Sequence, residues 1–378
     1  MAGIVSPGAT VRGLNRERVV AALRDLGAAS RADLEHATGL SRGTVASIVA
    51  ELLQDGVACQ RAGEEHGKGR PPALLWLAAA TGLTLAVDVG HRHVRAAVGD
   101  AEGNIVAERF RPLDDELTAT ELLAVAAALV AEVAAEADGE LSGAVLGLPS
   151  PVNAHGKPVT RAFSHLDLAR RTGLSRLTRR VRVMNDANLG ALGEAAFGAA
   201  RGLSDFIFVK MSGGVGAGIM IGGRLHLGSG GVAGELAHVR VRDEGEWCAC
   251  GNRGCLETVV SAASLEAALL KAHPDQGPTL SDLARYVRDG DPAARQIVYD
   301  AGWETGRALV SVIHALNPAA VVVGGSLAAL GQPLVTGMRE SIARHCQPNA
   351  VEALDVLQAQ CGERAEVLGA LTVFNAAA

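Results

Sequence analysis

The sequence predicts a protein of two parts, a helix-turn-helix unit within residues 1–72 and an α/β region from residue 80 onward. Three observations lead to this prediction. Short helical periods separated by capping residues occupy the first 56 positions, β-type and α-type segments alternate after residue 80, and glycines cluster where several predicted strands end. A chain of 378 residues is long enough for two or three domains.

The composition indicates an ordered protein with a large core, because hydrophobic residues make up 48% of the chain and charged residues 20%. The formal net charge of -6 argues against polyanion binding by the whole molecule. Residues 1–72 hold nine Lys/Arg and eight Asp/Glu, which leaves a local basic patch open. Glutamates interrupt the most apolar segment, and no signal peptide is apparent. We therefore expect a cytoplasmic, nucleoid-associated protein that does not contact the membrane.

Three predicted helices make up the N-terminal part. Apolar residues follow a helical period in segments that each end at a glycine, namely 15–27, 31–39 and 42–56. Ser30 and Ser41 stand at the N-cap positions of the second and third helices. Two later segments could pair as a wing, namely 57–63 and 70–78. The spacing predicts an all-α winged helix-turn-helix, with its wing and linker, over residues 1–72; a generic three-helix bundle is the alternative.

The third helix and the predicted wing carry the candidate DNA contacts. Recognition helices present their first residues to base edges, here Ser41, Arg42, Gly43, Thr44 and Ser47. Lys68 and Arg70 lie on a glycine-proline arm that suits a narrow minor groove, although a solvated loop is the alternative for this segment. A dimer on this unit would require a two-fold related operator in double-stranded DNA.

The α/β region opens with two apolar runs around a turn that starts at Asp88. In phosphate-binding hairpins, glycines and a hydroxyl usually follow such an aspartate. Here His91 and Arg92 occupy the room that a phosphate would need. Further along the chain, His238 and a group of three cysteines fall within eighteen residues of each other. One imidazole and three thiolates form the donor set of a closed tetrahedral zinc site. Free buried thiols are the alternative.

Seven motifs, taken in order, resemble those of the ROK family of sugar kinases and sugar-responsive repressors. They are Asp88-Val-Gly90, Gly147-Leu-Pro149-Ser-Pro151-Val, Asn185-Asp186-Ala-Asn188, Gly213-Gly-Val-Gly216-Ala-Gly218, Glu235-Leu-Ala-His238, the cysteines with His238, and Gly324-Gly325-Ser326. The resemblance covers residues 80–378. It implies an actin-like, hexokinase-like α/β fold of the ATPase type with two lobes. Together with the N-terminal unit, the whole chain resembles a ROK transcriptional regulator.

The resemblance also implies where the lobes and ligands lie. The first lobe would span 80–186 and be completed by a C-terminal helix near 362–378, and the second would span 187–361 with the zinc site and dimer contacts. Structural Zn²⁺ would be held by His238, Cys248, Cys250 and Cys255. An effector sugar would contact Gly147, Pro149, Asn185, Asp186, Glu235, His238 and Glu257. Asn185 and Asp186 could instead serve only to cap a helix, and Glu257 could be a surface residue.

Two departures from the family pattern, Ser150 and Ala237 where glycines are usual, could narrow the pocket or change its ligand. We expect a sugar-responsive regulator, and specifically a repressor, that acts as a homodimer or homotetramer and is not an enzyme. The runner-up is an active, glucokinase-like sugar kinase with Asp186 as its catalytic base. Two lesser alternatives are a sugar phosphate held by Arg92 and a zinc-stabilised scaffold without a ligand.

Overall fold

A computed structural model describes residues 11–54, 57–61, 73–77, 82–113, 117–274 and 279–374. They form two compact units, one N-terminal to Gly82 and one that spans Gly82–Val373. Among the described residues, no helix is long and apolar enough to cross a membrane.

The N-terminal unit consists of three helices and a small antiparallel sheet. In chain order its elements are α1 (Val11–Leu26), β1 (Ala28–Ala29), α2 (Arg31–Thr38), α3 (Arg42–Gln54), β2 (Ala58–Arg61) and β3 (Leu74–Leu77). The strand order is β1-β3-β2. The three helices and the pairing of β2 with β3 confirm the predicted elements. The all-α class was wrong, because Ala28 and Ala29 pair with β3 and extend the hairpin to three strands.

Capping residues explain where α2 begins and ends. The Ser30 hydroxyl accepts a hydrogen bond from the Asp33 amide at 3.2 Å, and the Asp33 carboxylate accepts one from the Ser30 amide at 2.8 Å. Gly39 ends the helix with a left-handed φ of 67°, a conformation that favours glycine. The apolar faces of the three helices meet in a core that includes Val19, Leu23, Leu34, Val45, Ile48, Val49 and Leu52.

The second unit begins with a five-stranded mixed sheet. Its elements are β4 (Leu83–Val89), β5 (His93–Gly99), β6 (Ile105–Pro112), α4 (Ala119–Glu136), β7 (Leu141–Leu148), α5 (Leu168–Arg171), α6 (Leu174–Leu177) and β8 (Val181–Asn185). The strand order is β6-β5-β4-β7-β8, with β4, β7 and β8 parallel to one another. Alternate residues of β4 face a core that α4 covers, namely Leu85, Val87 and Val89. Asp88 therefore points to the opposite face.

A second five-stranded sheet follows. Its elements are α7 (Asp186–Phe197), β9 (Phe206–Met211), β10 (Val215–Ile221), β11 (Arg224–Leu225), α8 (Glu257–Val260), α9 (Ala262–Ala272), α10 (Leu280–Asp289), α11 (Pro292–Leu316), β12 (Ala320–Gly324), α12 (Gln332–His345), α13 (Pro348–Val351), β13 (Asp355–Gln358) and α14 (Ala365–Thr372). The order is β11-β10-β9-β12-β13. One face of the central strand β9 packs in the core that contains α11 and α12 residues, through Ile207, Val209 and Met211.

Two helices, α7 and α14, pack against each other, with α14 on the first sheet and α7 mainly on strands β9 and β10 of the second. Their backbones approach so closely that a Cβ on Gly193 would collide with the Ala365 carbonyl, and one on Gly369 with that of Leu189. Because α14 also contacts β4, β5 and β7, the C-terminal helix joins the first sheet. The lobe limits expected from the sequence stay a prediction.

Candidate functional site

The predicted metal ligands converge on one point. His238 ends a 3-10 turn at Leu236–His238, and the three cysteines lie on the following loop up to α8. The ligand atoms of His238, Cys248, Cys250 and Cys255 all lie within 4.8 Å of one another. Cys250 Sγ is 3.7 Å from Cys255 Sγ, and Cys248 Sγ is 3.4 Å from His238 Nδ1. A tetrahedral zinc site places ligand atoms roughly 3.5–3.8 Å apart, so these donors fit a zinc ion.

The two nitrogens of His238 face different groups. Nδ1 faces the thiolates, whereas Nε2 lies 4.0 Å from Glu235 Oε2. Glu257, the first residue of α8, stands close by, with its Oε2 3.8 Å from Cys248 Sγ. Glu257 is half-buried and therefore is not the freely exposed helix residue of the alternative interpretation. The metal cluster thus lies beside three of the predicted sugar residues, Glu235, His238 and Glu257.

Three carboxylates, Asp186, Glu235 and Glu257, lie close together here, and we call the space around them the cleft. Burial, followed by the charges of Asp186 and Glu257, raises the pKa of Glu235 to about 7. A carboxyl group that is half-protonated near neutral pH can donate as well as accept a hydrogen bond. Such a group suits a polyol ligand, whose hydroxyls both donate and accept.

Asn185 and Asp186 stand at the junction of β8 and α7. Asn185 caps α7, because its Oδ1 accepts from the Asn188 amide at 3.1 Å. Its Nδ2 donates to the Ser150 carbonyl at 3.3 Å and lies 3.2 Å from Asp186 Oδ1. The capping interpretation is therefore correct for Asn185, but the same side chain also contacts both the Ser150 carbonyl and the Asp186 carboxylate.

Gly147 lies near the end of β7, and Pro149 lies on the loop that follows it. A Cβ on Gly147 would lie 2.8 Å from a methyl group of Leu189, so the glycine lets the Leu189 side chain of α7 pack closely here. Ser150 is 2% exposed, and its hydroxyl lies 2.9 Å from that of Thr160. Ala237 is likewise buried in the core of the second sheet. Both departures from the family pattern are accommodated by local packing.

A cavity of about 410 Å³ opens beside this loop, lined by Asn153, His155, Arg182, Asn185, Asn188 and Leu227 among others. Of the predicted sugar residues, Asn185 belongs to this lining, whereas Asp186, Glu235, His238 and Glu257 lie outside it. The carboxylate cluster is the better candidate for a sugar site than the cavity, because convergent polar groups define a polyol site better than empty volume does.

The turn between β4 and β5 meets the glycine turn between β9 and β10 at His91. A Cβ on Gly213 would lie 2.8 Å from His91 Cβ, so the His91 side chain covers the glycine turn between β9 and β10. Arg92 instead turns to Glu266 on α9, with Nη2 3.3 Å from Oε2. This pairing gives Arg92 a partner within the protein and weakens its interpretation as an anion ligand.

Sequence reasoning missed a buried charged group beside Asp186, Lys210. On β9 it continues the face of Phe206 and Phe208, and its side chain is 6% exposed. Its Nζ lies 2.9 Å from Asp186 Oδ2 and 2.7 Å from Glu366 Oε1 on α14. Burial opposes its charge, yet Asp186, Glu366 and Asp88 together raise the pKa of Lys210 well above its usual range. The available signal was the lysine itself, since it interrupts an otherwise apolar strand in which every residue is buried.

Asp88 completes this cluster from the first sheet. Its Oδ2 lies 2.7 Å from His93 Nε2, and its Oδ1 has no hydrogen-bond partner among the described residues. Burial raises the pKa of Asp88, but the charges of Lys210 and His93 outweigh burial and lower it. Each central element of the unit, namely β4, α7, β9 and α14, thus contributes one charged group.

In the N-terminal unit, the predicted DNA contacts lie at the start of α3. Ser41 Oγ accepts from the Thr44 amide at 3.3 Å and so caps the helix, and Gly43 has open space around it. Arg42 is exposed. Ser47 accepts a hydrogen bond from Arg12 at 3.1 Å. Lys68 and Arg70 lie outside the described residues.

The second unit contains two mixed five-stranded sheets, the paired helices α7 and α14, and a buried aspartate, Asp88, near the end of β4. These features define a two-lobed α/β protein of the actin-like kinase fold. Comparison with known proteins agrees with this class. The chain belongs to the ROK family, whose model matches residues 84–377.

Three relatives illustrate the range of the matches. The xylose repressor of Bacillus subtilis is 28% identical over 347 residues, which cover 90% of this chain and 89% of the relative. A crystal structure described as a ROK family transcriptional regulator, a homologue of the E. coli MLC protein, has a TM-score of 0.69 at 24% identity and covers 97% of this chain and 96% of its own. A Streptomyces griseus ROK glucokinase with glucose and AMPPNP has a TM-score of 0.69 at 29% identity and covers 77% of this chain and 98% of its own.

Proposed function

We propose that this protein is a sugar-responsive transcriptional repressor that binds operator DNA and is not an enzyme. The observation that carries the proposal is the extent of the matches. Relatives described as a repressor and a regulator match 90% and 97% of the chain, whereas the glucokinase matches 77%. The additional segment contains the three helices and the hairpin, which we interpret as a winged helix-turn-helix.

The DNA interface is proposed at the N-terminus of α3 and on the wing. Arg42 would contact a guanine or a phosphate, while Ser41, Gly43, Thr44 and Ser47 would allow close approach to the major groove. Lys68 and Arg70 would enter the minor groove. A homodimer or homotetramer would present two such units to a two-fold related operator in double-stranded DNA.

A mobility-shift assay tests this interface on fragments that the wild-type protein selects from genomic DNA. We expect Arg42→Ala and Arg70→Ala each to weaken binding by about fivefold or more, since a lost base contact costs on the order of 1–3 kcal/mol. Arg18→Ala is the matched control, because Arg18 is an exposed arginine on α1 outside the proposed interface. Unchanged affinity in both test variants would refute the interface.

The cleft is proposed as the sugar site, with Asn185, Asp186, Glu235, His238 and Glu257 as hydrogen-bonding groups. Gly147 and Pro149 would shape its wall. A closed four-ligand zinc ion at His238, Cys248, Cys250 and Cys255 would hold the loop without activating water. With Nδ1 on the metal, the other ring nitrogen of His238 would be directed at a sugar hydroxyl.

Thermal-shift screening against neutral sugars, including xylose and glucose, tests the sugar site. We expect at least one sugar to raise the Tm of the wild-type protein, because a ligand that binds only the folded state stabilises it. Glu257→Gln should weaken that shift, whereas Glu340→Gln, a change to an exposed glutamate on α12, should leave it intact. If no sugar raises the Tm, the zinc-stabilised scaffold without a ligand becomes the better interpretation.

An active sugar kinase is the second candidate, since the glucokinase match covers 98% of that enzyme's chain. A base at Asp186 would have to accept a proton from a sugar hydroxyl. The contact with Lys210 and the cover of His91 over the glycine turn both oppose this chemistry. ATP consumption with a panel of hexoses decides the question, and turnover that Asp186→Ala abolishes would establish the kinase.

A further inference from the structure

The Lys210 cluster contains both aspartates, Asp88 and Asp186, that the family pattern associates with phosphoryl transfer. Kinases of this kind use Mg²⁺ to neutralise the phosphates, and Mg²⁺ is held by one or two carboxylates together with water and phosphate oxygens. Asp88 and Asp186 are the carboxylates that the family pattern would assign to this chemistry. In this protein an ammonium group lies 2.9 Å from Asp186, and a histidine lies 2.7 Å from Asp88.

The residues present therefore do not fit Mg²⁺. Lys210 Nζ already contacts Asp186 and Glu366, at 2.9 Å and 2.7 Å, and its side chain is 6% exposed. A buried ammonium group beside two carboxylates would repel a divalent cation and would leave no room for its hydration shell. Conversely, removal of Lys210 would expose three buried carboxylates to one another, at Asp88, Asp186 and Glu366.

We propose that the Lys210 ammonium is a resident cation that replaces the divalent metal ion of a kinase cleft, so that the cleft binds its ligand without metal or nucleotide. The proposal concerns the cleft alone and does not depend on DNA binding. It rests on two independent features. One is the pair of contacts that Lys210 makes to Asp186 and Glu366. The other is Asp88 Oδ1, which is buried and has no hydrogen-bond partner among the described residues.

The test is a gain of metal binding on removal of the lysine. In Lys210→Met, the methionine fills similar space without charge, and Asp88, Asp186 and Glu366 become available as oxygen ligands. We expect this variant to bind about one Mn²⁺ per chain by electron paramagnetic resonance. We also expect Mg²⁺ to raise its Tm at constant ionic strength. Wild-type protein should show neither effect.

Companion variants keep the result interpretable. Lys210→Met/Glu366→Gln removes one charge of each sign, so it provides a second folded background if the single variant aggregates, and it retains two carboxylates for the ion. Lys210→Met/Asp88→Asn should lose the added Mn²⁺, which distinguishes this site from binding elsewhere. Lys210→Arg should behave as wild type because it keeps the charge.

Two results would overturn the proposal. One is the absence of added Mn²⁺ in whichever of Lys210→Met and Lys210→Met/Glu366→Gln is folded. The other is Mn²⁺ binding by wild-type protein that Asp88→Asn removes. Neither result bears on operator binding, so the failure of this inference can be told apart from a failure of the proposed repressor function.

Discussion

The single side chain of His93 links the β4–β5 hairpin of the first sheet to the buried charges, through its contact with Asp88. Burial by itself lowers the pKa of His93, but the hydrogen bond and charge of Asp88, with the charge of Glu366, outweigh burial and the opposing charge of Lys210. The pKa of His93 is therefore raised above its ordinary value of 6.5. The folded state consequently binds more protons than the unfolded state near neutral pH.

This shift predicts a pH-dependent contribution to stability. The contribution should be fully present below pH 6.5, the unfolded value, and should be lost as the pH rises through the raised folded pKa. His93→Gln still offers a donor to Asp88 but cannot titrate. We expect the Tm difference between wild type and His93→Gln to shrink between about pH 6 and about pH 9. A difference that stays constant over this range would contradict the assignment.

Single residues also show what could be predicted from the sequence. The convergence of His238 with the three cysteines was predictable, because four donors within eighteen residues can meet through one short loop. Lys210 was not, because its partners at 186 and 366 are remote in sequence and meet it only when β9, α7 and α14 pack together. Likewise, the packing of His91 over Gly213 depends on two turns that lie in different sheets.

At the element scale, α2 depends on its capping box. Ser30→Ala removes the hydroxyl that accepts from the Asp33 amide, and we expect it to destabilise the N-terminal unit by about 1 kcal/mol. Hydrogen exchange of the α2 amides measures this, since exchange should become several-fold faster. Ser30→Asn retains a capping oxygen and should stay near wild type. Equal protection in Ser30→Ala and Ser30→Asn would show that the cap is not needed.

The loop between His238 and α8 allows a second prediction, which concerns the zinc content of the protein. We expect about one zinc ion per chain in the purified protein by elemental analysis, and its loss in Cys250→Ser. Cys59→Ser is the matched control, because Cys59 is an exposed thiol on β2 outside the cluster. Full zinc content in Cys250→Ser, or none in wild type, would argue for free thiols instead.

Elements were more predictable than their assembly. The strand β4, the helix α4 and the turn between β9 and β10 follow from periodicity and glycines, and the structure confirms them. The second sheet also pairs β9 with β12, a strand remote from it in the chain, and local pattern does not encode such a pairing. From the sequence, the family resemblance implied the fold class but no strand order.

At the scale of the whole molecule, the chain combines a cleft of the kinase type with an additional helical unit. The cleft retains convergent carboxylates at Asp186, Glu235 and Glu257. Its former phosphate side is covered by His91 and is electrostatically satisfied by Lys210. Under the proposed function, these features would oppose catalysis and would leave the groups proposed to recognise a polyol in place.

A repressor of this design needs thermodynamic coupling between its two ligands. A sugar can alter DNA affinity only if it binds the two states of the protein with different affinity, and the coupling is reciprocal. Glu235→Gln should weaken the response to sugar while it leaves DNA binding without sugar intact, because Glu235 lies in the second unit.

The most direct test is the fluorescence anisotropy of a labelled operator fragment titrated with full-length protein, with and without the sugar that raises the Tm. We predict that this sugar changes the Kd for DNA at least about fivefold in wild type, the lower end of typical allosteric coupling, and without ATP or Mg²⁺. A sugar that binds the wild-type protein but leaves the Kd for DNA unchanged would contradict the account.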